Sequence, residues 1–111
     1  MKSFNKIFVS NKLNFQHNNK YAVNIMRPNI LSNPFRIDNQ NNRNDVCNRF
    51  EIYFKNEYKT NLIIQKEIDK IINQLKISDV YLLCCCKPKR CHGDFLKIFI
   101  EKKIHNINNL F

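Results

Sequence analysis

Four cysteines, a histidine, an aspartate and three cations fall within eleven residues, Cys84–Asp94 (CCCKPKRCHGD). Each residue type has a use where an apolar strand hands over to a helix. Cys91, at a helix start and beside cations, is expected to have a lowered thiol pKa, and a thiolate serves as nucleophile or metal ligand. His92 can be a general base, a leaving-group acid or a ligand. Asp94 can orient an imidazole, hold a ribose hydroxyl or simply compensate the helix dipole. Lys87, Lys89 and Arg90, together with first-turn N–H groups, favour an anion such as a phosphate, or else form a solvated basic loop. Gly93 has no side chain to hinder the close approach of a ligand. Cys84 and Cys85 continue an apolar run and read as core packing. Cys84, Cys86, Cys91 and His92 also number four, the count of a structural zinc site. Their spacing, C-x-C along a strand and then an adjacent Cys-His, departs from the usual separated C-x2-C pairs. No cofactor is therefore predicted, with zinc kept as the alternative. Cys47 reads as core, and His17 and His105 as surface.

The elements that must hold this loop follow from periodicity. Asp79–Cys85 (DVYLLCC) is a near-continuous apolar run of strand length, the pattern of a strand buried on both faces. Lys6–Ser10 and Tyr21–Ile25 are short β-leaning runs, at least one of them a strand, separated by the Asn-rich loop Asn11–Lys20. Arg27-Pro28 and Asn33-Pro34 make Met26–Phe35 an extended, turning loop, because the residue before a proline is pushed out of helical geometry. After the polar punctuation of Asp38–Asn42, Val46, Phe50, Tyr53, Phe54 and Glu57 mark an amphipathic helix from Arg43. A second runs from Asn61, a candidate cap, to Lys76, with Ile64, Ile68, Ile71, Ile72 and Leu75 as its stripe. A third begins at His92 or Gly93 and carries Phe95, Leu96, Phe99, Ile100 and Lys103. The expectation is a small single-domain α/β sandwich with a mainly parallel sheet and about three helices. In such sheets ligands bind beyond the carboxyl ends of the strands, where the cysteine loop lies. Residues 1–20 read as a basic Asn-rich tail or first strand, 21–105 as the domain and 106–111 as a frayed end.

The chain has 111 residues, 43% hydrophobic and 25% charged, which excludes collagen-like, mucin-like and wholly disordered classes. No run of some 18 apolar residues suggests a membrane span. Nineteen Lys and Arg against nine Asp and Glu give a net charge of +10, a balance that points toward nucleic acid or an anionic surface. That pointer is discounted, since 19 Asn, 15 Ile and 14 Lys against one Gly are what AT-rich coding produces. Residues 1–37 carry six cations and no acid. Five cysteines, four of them clustered, do not form a secreted disulfide framework, so an intracellular, reducing compartment is expected, whether cytoplasmic, viral-host or organellar.

Cys84, Cys86, Lys87 and Pro88, then Cys91, His92, Gly93 and Asp94, read with Arg27, Asn33, Pro34 and Phe35 upstream, resemble a bacterial and viral family known as domain of unknown function 4326. That family shows C-x-C-K-P and C-H-G-D after a buried strand and a G-R-x-S-x-W-G-N-P-F-like loop before it. The likeness runs from about Val23 to Lys103. Met26 stands in place of Gly, Leu31 of Trp, Ser32 of Gly and Cys85 of an aromatic. The resemblance implies an α/β fold and a site shared by the two loops, and brings no reaction with it. Three readings stay open. The first is a small enzyme or ligand domain for a phosphate-bearing molecule, a nucleotide or nucleic-acid component, with Cys91, His92 and Asp94 as catalytic residues. In it Arg27 clamps phosphate, Asn33 contacts base or ribose, and Lys87, Arg90 and Gly93 complete the ligand site. The others are a basic nucleic-acid-binding accessory protein without chemistry, and a zinc-stabilised interaction module. Ligand, turnover and oligomeric state are not legible.

Overall fold

The computed structural model describes residues 3–36 and 42–109. Three strands, β1 (Ile7–Asn11), β2 (Tyr21–Asn24) and β3 (Val80–Cys84), form one parallel sheet in the order β1-β3-β2. In register, Ile7 and Tyr21 flank Val80, and Val9 and Val23 flank Leu82. The most apolar strand thus takes the centre, where both its edges are paired and both its faces are covered. Both β-leaning runs of the amino-terminal third are strands, and residues 7–11 belong to the sheet rather than to a tail. Met1 and Lys2 lie outside the described residues, as do 37–41, which include most of the polar stretch read as punctuation.

Alternation along the strands divides the sheet into two unlike faces. Ile7, Val9, Tyr21, Val23, Val80, Leu82 and Cys84 share one core with α1 (Arg43–Thr60), α2 (Leu62–Leu75) and α3 (His92–Asn109). α3 packs on β1 and β3, α2 on β3, and α1 on α2 and α3. Ile64, Ile68, Ile71, Ile72 and Leu75 are the buried residues of α2, as their spacing predicts. Asn61 accepts hydrogen bonds from the N–H groups of Ile63 and Ile64 at 3.0 and 3.2 Å, capping that helix. Phe50 and Phe54 of α1 meet Phe95 and Phe99 of α3 edge to face, the pair Phe54–Phe99 at 5.0 Å and 82°. The helix expected to fray from Asn106 instead continues to Asn109, because Ile104 and Ile107 keep its apolar stripe packed on the core. Leu110 and Phe111 lie outside the described residues.

The opposite face is covered by the crossover from β1 to β2. Its short 3-10 turn, Lys12–Asn14, is capped by Asn11. Phe15 then reaches the Tyr81 ring at 5.2 Å, Phe8 stacks on the same ring at 5.0 Å, and the Lys20 ammonium lies 5.4 Å from it. Nine connecting residues thereby replace a helical layer.

With a single glycine in the chain, turns are made with asparagine. Asn11, Asn24, Asn29 and Asn33 each accept a hydrogen bond from the N–H two residues on, at 2.7–2.9 Å. Such a side chain stands in for a backbone carbonyl and closes the turn locally. Three of the four shape the proline loop, which is more tightly folded than an extended segment. The N–H of Asn29 donates to Met26 and that of Ser32 to Asn29, and Leu31 plugs into the core.

Candidate functional site

Beyond the carboxyl ends of β2 and β3 the proline loop and the cysteine loop face each other across a pocket of about 360 Å3. The proline loop contributes Met26, Arg27, Ser32, Asn33 and Phe35, and the cysteine loop Cys85, Cys86, Cys91 and His92, with Cys47 from α1. That size falls within the range of about 300–1,000 Å3 typical of small-ligand sites. Arg27, Asn33, Cys91 and His92, the predicted site residues among these, thus line one pocket. Met26, Ser32, Phe35, Cys47 and Cys85 join them without being among the site residues that the sequence predicts. The first three interleave with Arg27 and Asn33 in one loop, which is a usable signal; Cys47 arrives from a helix distant in sequence, and nothing local announces it.

His92 is buried, and its Nε2 lies 2.8 Å from the carbonyl oxygen of Ile25. A carbonyl only accepts, so Nε2 carries the proton and donates. Burial pushes the imidazole pKa below its ordinary value against the pull of that hydrogen bond, which keeps the ring neutral and leaves Nδ1 as its acceptor. The edge of the ring packs on Phe50 at 5.0 Å. The imidazole is therefore oriented by the residue after β2, not by Asp94.

Asp94 serves the helix and its loop. Its Oδ2 accepts from the Cys91 N–H at 3.1 Å, while its own N–H returns to the Cys91 carbonyl at 3.1 Å. That reciprocal arrangement caps α3 and sets a carboxylate where the helix dipole would otherwise draw an external anion. Its Oδ1 pairs with the Lys87 ammonium. Arg90 is directed at α1, donating to the side-chain oxygens of Asn44 and Asn48 at 3.2 and 3.0 Å. Its carbonyl accepts from Arg43 at 3.0 Å. Lys87 and Arg90, expected on a phosphate, are thus engaged in fixing the loop. Their absence from the pocket lining leaves Arg27 as its lining cation among the described residues. Arg90 and Asp94 border a separate cleft of about 80 Å3. Gly93 is buried, and a Cβ there would lie 2.8 Å from Ile25 Cδ1 and 2.9 Å from Val9 Cγ1. The close approach it permits is that of its own core.

The thiols reverse one expectation. Cys84 and Cys91 are both buried, with their Sγ atoms 3.2 Å apart. The hydrogen bond from Cys91 lowers the Cys84 thiol to about 6, assisted by the N–H groups of Cys86 and Lys87 and by the Lys87 charge, against burial. Cys91, expected to be the acidic one, is pushed up, first by that same hydrogen bond and then by burial and the charges of Cys84 and Asp94. Once the pair has lost a proton its two sulfurs share the one that remains, and the donor nest around Cys84 favours the charge on that sulfur. Among the described residues no three His, Cys, Asp or Glu side chains are grouped to hold a metal ion. Two sulfurs on one tetrahedral zinc stand about 3.8 Å apart, a consequence of Zn–S bonds near 2.3 Å. The Cys84–Cys91 separation is shorter, and His92 Nε2 is turned to a carbonyl. No described helix is long and apolar enough to cross a membrane.

These features define a small parallel α/β domain with a pocket between two loops at the carboxyl ends of its strands. The chain belongs to the family described as Domain of unknown function (DUF4326), which matches residues 10–102, from the end of β1 to well inside α3 and through both loops. No curated protein and no solved structure matches it.

Proposed function

We propose that the domain binds a nucleotide, or a similar ligand joining a flat apolar group to a phosphate, in the pocket between the two loops. The observation that carries this reading is the composition of the pocket: apolar walls from Met26, Phe35 and the cysteines, with the Arg27 guanidinium and Asn33 in the same lining. A base packs against Phe35, whose ring offers a flat apolar face. Arg27 supplies a forked donor for the phosphate, and Asn33 a polar contact to base or ribose. His92 as a neutral imidazole offers Nδ1 as an acceptor to the bound ligand, and Cys91 lies in the same lining. In this reading Arg27 takes the anion-binding role, since Lys87 and Arg90 hold the loop.

Titration calorimetry with nucleoside mono-, di- and triphosphates, free nucleosides and inorganic phosphate tests it. Nucleotides should bind, and Arg27→Ala should weaken them about tenfold or more, the scale of a lost charged hydrogen bond of about 1.5–3 kcal/mol. Phe35→Ala should weaken nucleosides and nucleotides alike. Absence of nucleotide binding at millimolar ligand, or affinities unchanged in both variants, overturns the reading. Affinity for DNA or RNA that falls steeply with salt and survives Arg27→Ala would move the function to the basic surface. One zinc per chain, with unfolding on chelation, would make the loop a metal-stabilised module.

A further inference from the structure

The loop that leaves β3 folds back so that Cys84, the last residue of that strand, meets Cys91, the residue before α3. Their sulfurs stand 3.2 Å apart, and all five cysteines are free thiols. A disulfide has an S–S length of about 2.05 Å, so an approach of about 1.2 Å closes the bond. Cys91 also lines the pocket, so one member of the pair can be reached by a small reactant while the other waits behind it.

We propose that Cys84 and Cys91 form a redox-active dithiol, oxidised to a disulfide by small organic disulfides that enter the pocket. The proposal concerns the same pocket but does not depend on what else binds there. Above about pH 6 the reduced pair, its sulfurs in contact, holds one proton between them. When that proton passes to Cys84, the Cys91 thiolate attacks one sulfur of the entering disulfide. A mixed disulfide forms on Cys91 and the first thiolate leaves. The Cys84 sulfur then attacks Cys91 Sγ, expels the second thiolate and gives up the proton. The protein loses two electrons and one proton, and the entering disulfide becomes one thiol and one thiolate. The N–H groups of Cys86 and Lys87 and the Lys87 charge around Cys84 favour the resolving step, because they ease the loss of that proton as the sulfur attacks its neighbour.

The full chain, reduced and freed of reductant, is incubated with oxidised glutathione, quenched with an alkylating agent and analysed by intact mass and tryptic mapping. Trypsin cuts after Lys89 and Arg90, so Cys84 and Cys91 fall on separate peptides. The expected product has lost two hydrogens, retains no glutathione, and yields those two peptides linked. The link should persist in Cys85→Ser and Cys86→Ser, whose positions lie outside the buried core. In Cys84→Ser the reaction should stop with glutathione on Cys91. Glutathione adducts accumulating on the wild-type protein without the link overturn the proposal. So does a link that disappears in Cys85→Ser or Cys86→Ser, or native products distributed as in denaturant. The wild-type result alone decides the matter if Cys84→Ser fails to fold.

Discussion

Gly93→Ala separates a packing role from a ligand role at the start of α3. The added methyl would sit 2.8 Å from Ile25 Cδ1, 2.9 Å from Val9 Cγ1 and 3.3 Å from Cys91 Sγ. Ile25 Cδ1 is the tip of a flexible side chain and can turn aside. Val9 is β-branched and held in β1, where its rotamer is stiff. Retreat of the Ile25 backbone would stretch both its carbonyl bond to His92 and its N–H bond to the Leu83 carbonyl, 2.8 and 3.1 Å long. Overpacking of this kind costs about 1–3 kcal/mol. Alanine returns up to about 1 kcal/mol over glycine inside a helix, and less in its first turn. The net expectation is a loss of about 1–2 kcal/mol, read as a lower urea midpoint at unchanged slope, or as a Tm lower by about 4–8 °C per kcal/mol. Ile25→Val, which removes the nearest atom, should cost about 0.5–1.5 kcal/mol alone. Combined with Gly93→Ala it should recover at least about 0.5 kcal/mol relative to the sum. A Gly93→Ala protein as stable as wild type, or strict additivity in the double variant, would refute the packing argument. Loss of ligand affinity at full stability would return the glycine to the ligand.

Two further outcomes follow from the caps and the thiols. Asn61→Ala removes the side-chain acceptor for two N–H groups of α2 and should cost about 1 kcal/mol in thermal denaturation, with Asn61→Ser retaining most of it; equal stability of all three proteins would remove the cap from the account. Between about pH 6 and the ordinary thiol value of 9.0, Cys84 is ionised in the folded chain and protonated in the unfolded one, so stability should rise with pH across that window. Above it the raised Cys91 reverses the trend, because the unfolded chain then gives up the proton that the folded one keeps. His92 acts in the same sense at the acid end: its depressed pKa means that the unfolded chain takes up the proton first as pH falls. Denaturant midpoints of wild type and Cys84→Ser across this range measure the effect, and parallel pH profiles for the two would contradict it.

What was legible in the chain divides along the range of the interaction. The stripe of α2 and its Asn61 cap depend on neighbours within four residues, and both stand as the spacing predicts. The central strand is legible because a run apolar at successive positions needs cover on both faces. The meeting of the two loops is legible because strand ends in a parallel sheet gather at one edge. The roles of individual polar groups are not. Arg90 looks like a phosphate ligand in a basic loop, and only α1, some forty residues away, shows that it bonds to Asn44 and Asn48. Lys87 and Asp94 look like binding groups until the turn of the loop pairs them. The order of acidity of the two thiols is set by a sulfur contact and by the backbone donors around Cys84, neither of which has a signature in residue type. The asparagines, discounted as a product of base composition, build the turns of a chain nearly without glycine.

The strand order carries a consequence for how the chain is made. β1 and β2 are separated by β3 and pair only with it, so the backbone bonds of the sheet join residues 6–25 to residues 80–84. Synthesis from the amino terminus delivers both outer strands, the proline loop and two helices before their common partner leaves the ribosome. Local contacts can form α1 and α2 during that interval, but the sheet is a late and long-range event, the slow kind of assembly. The unpaired segments are strand-forming and exposed while they wait. Interspersed among them are Lys6, Asn11, Lys12, Lys20 and Asn24, charged and polar residues of the kind that blunt edge-to-edge pairing of strands before Val80–Cys84 arrives to join them.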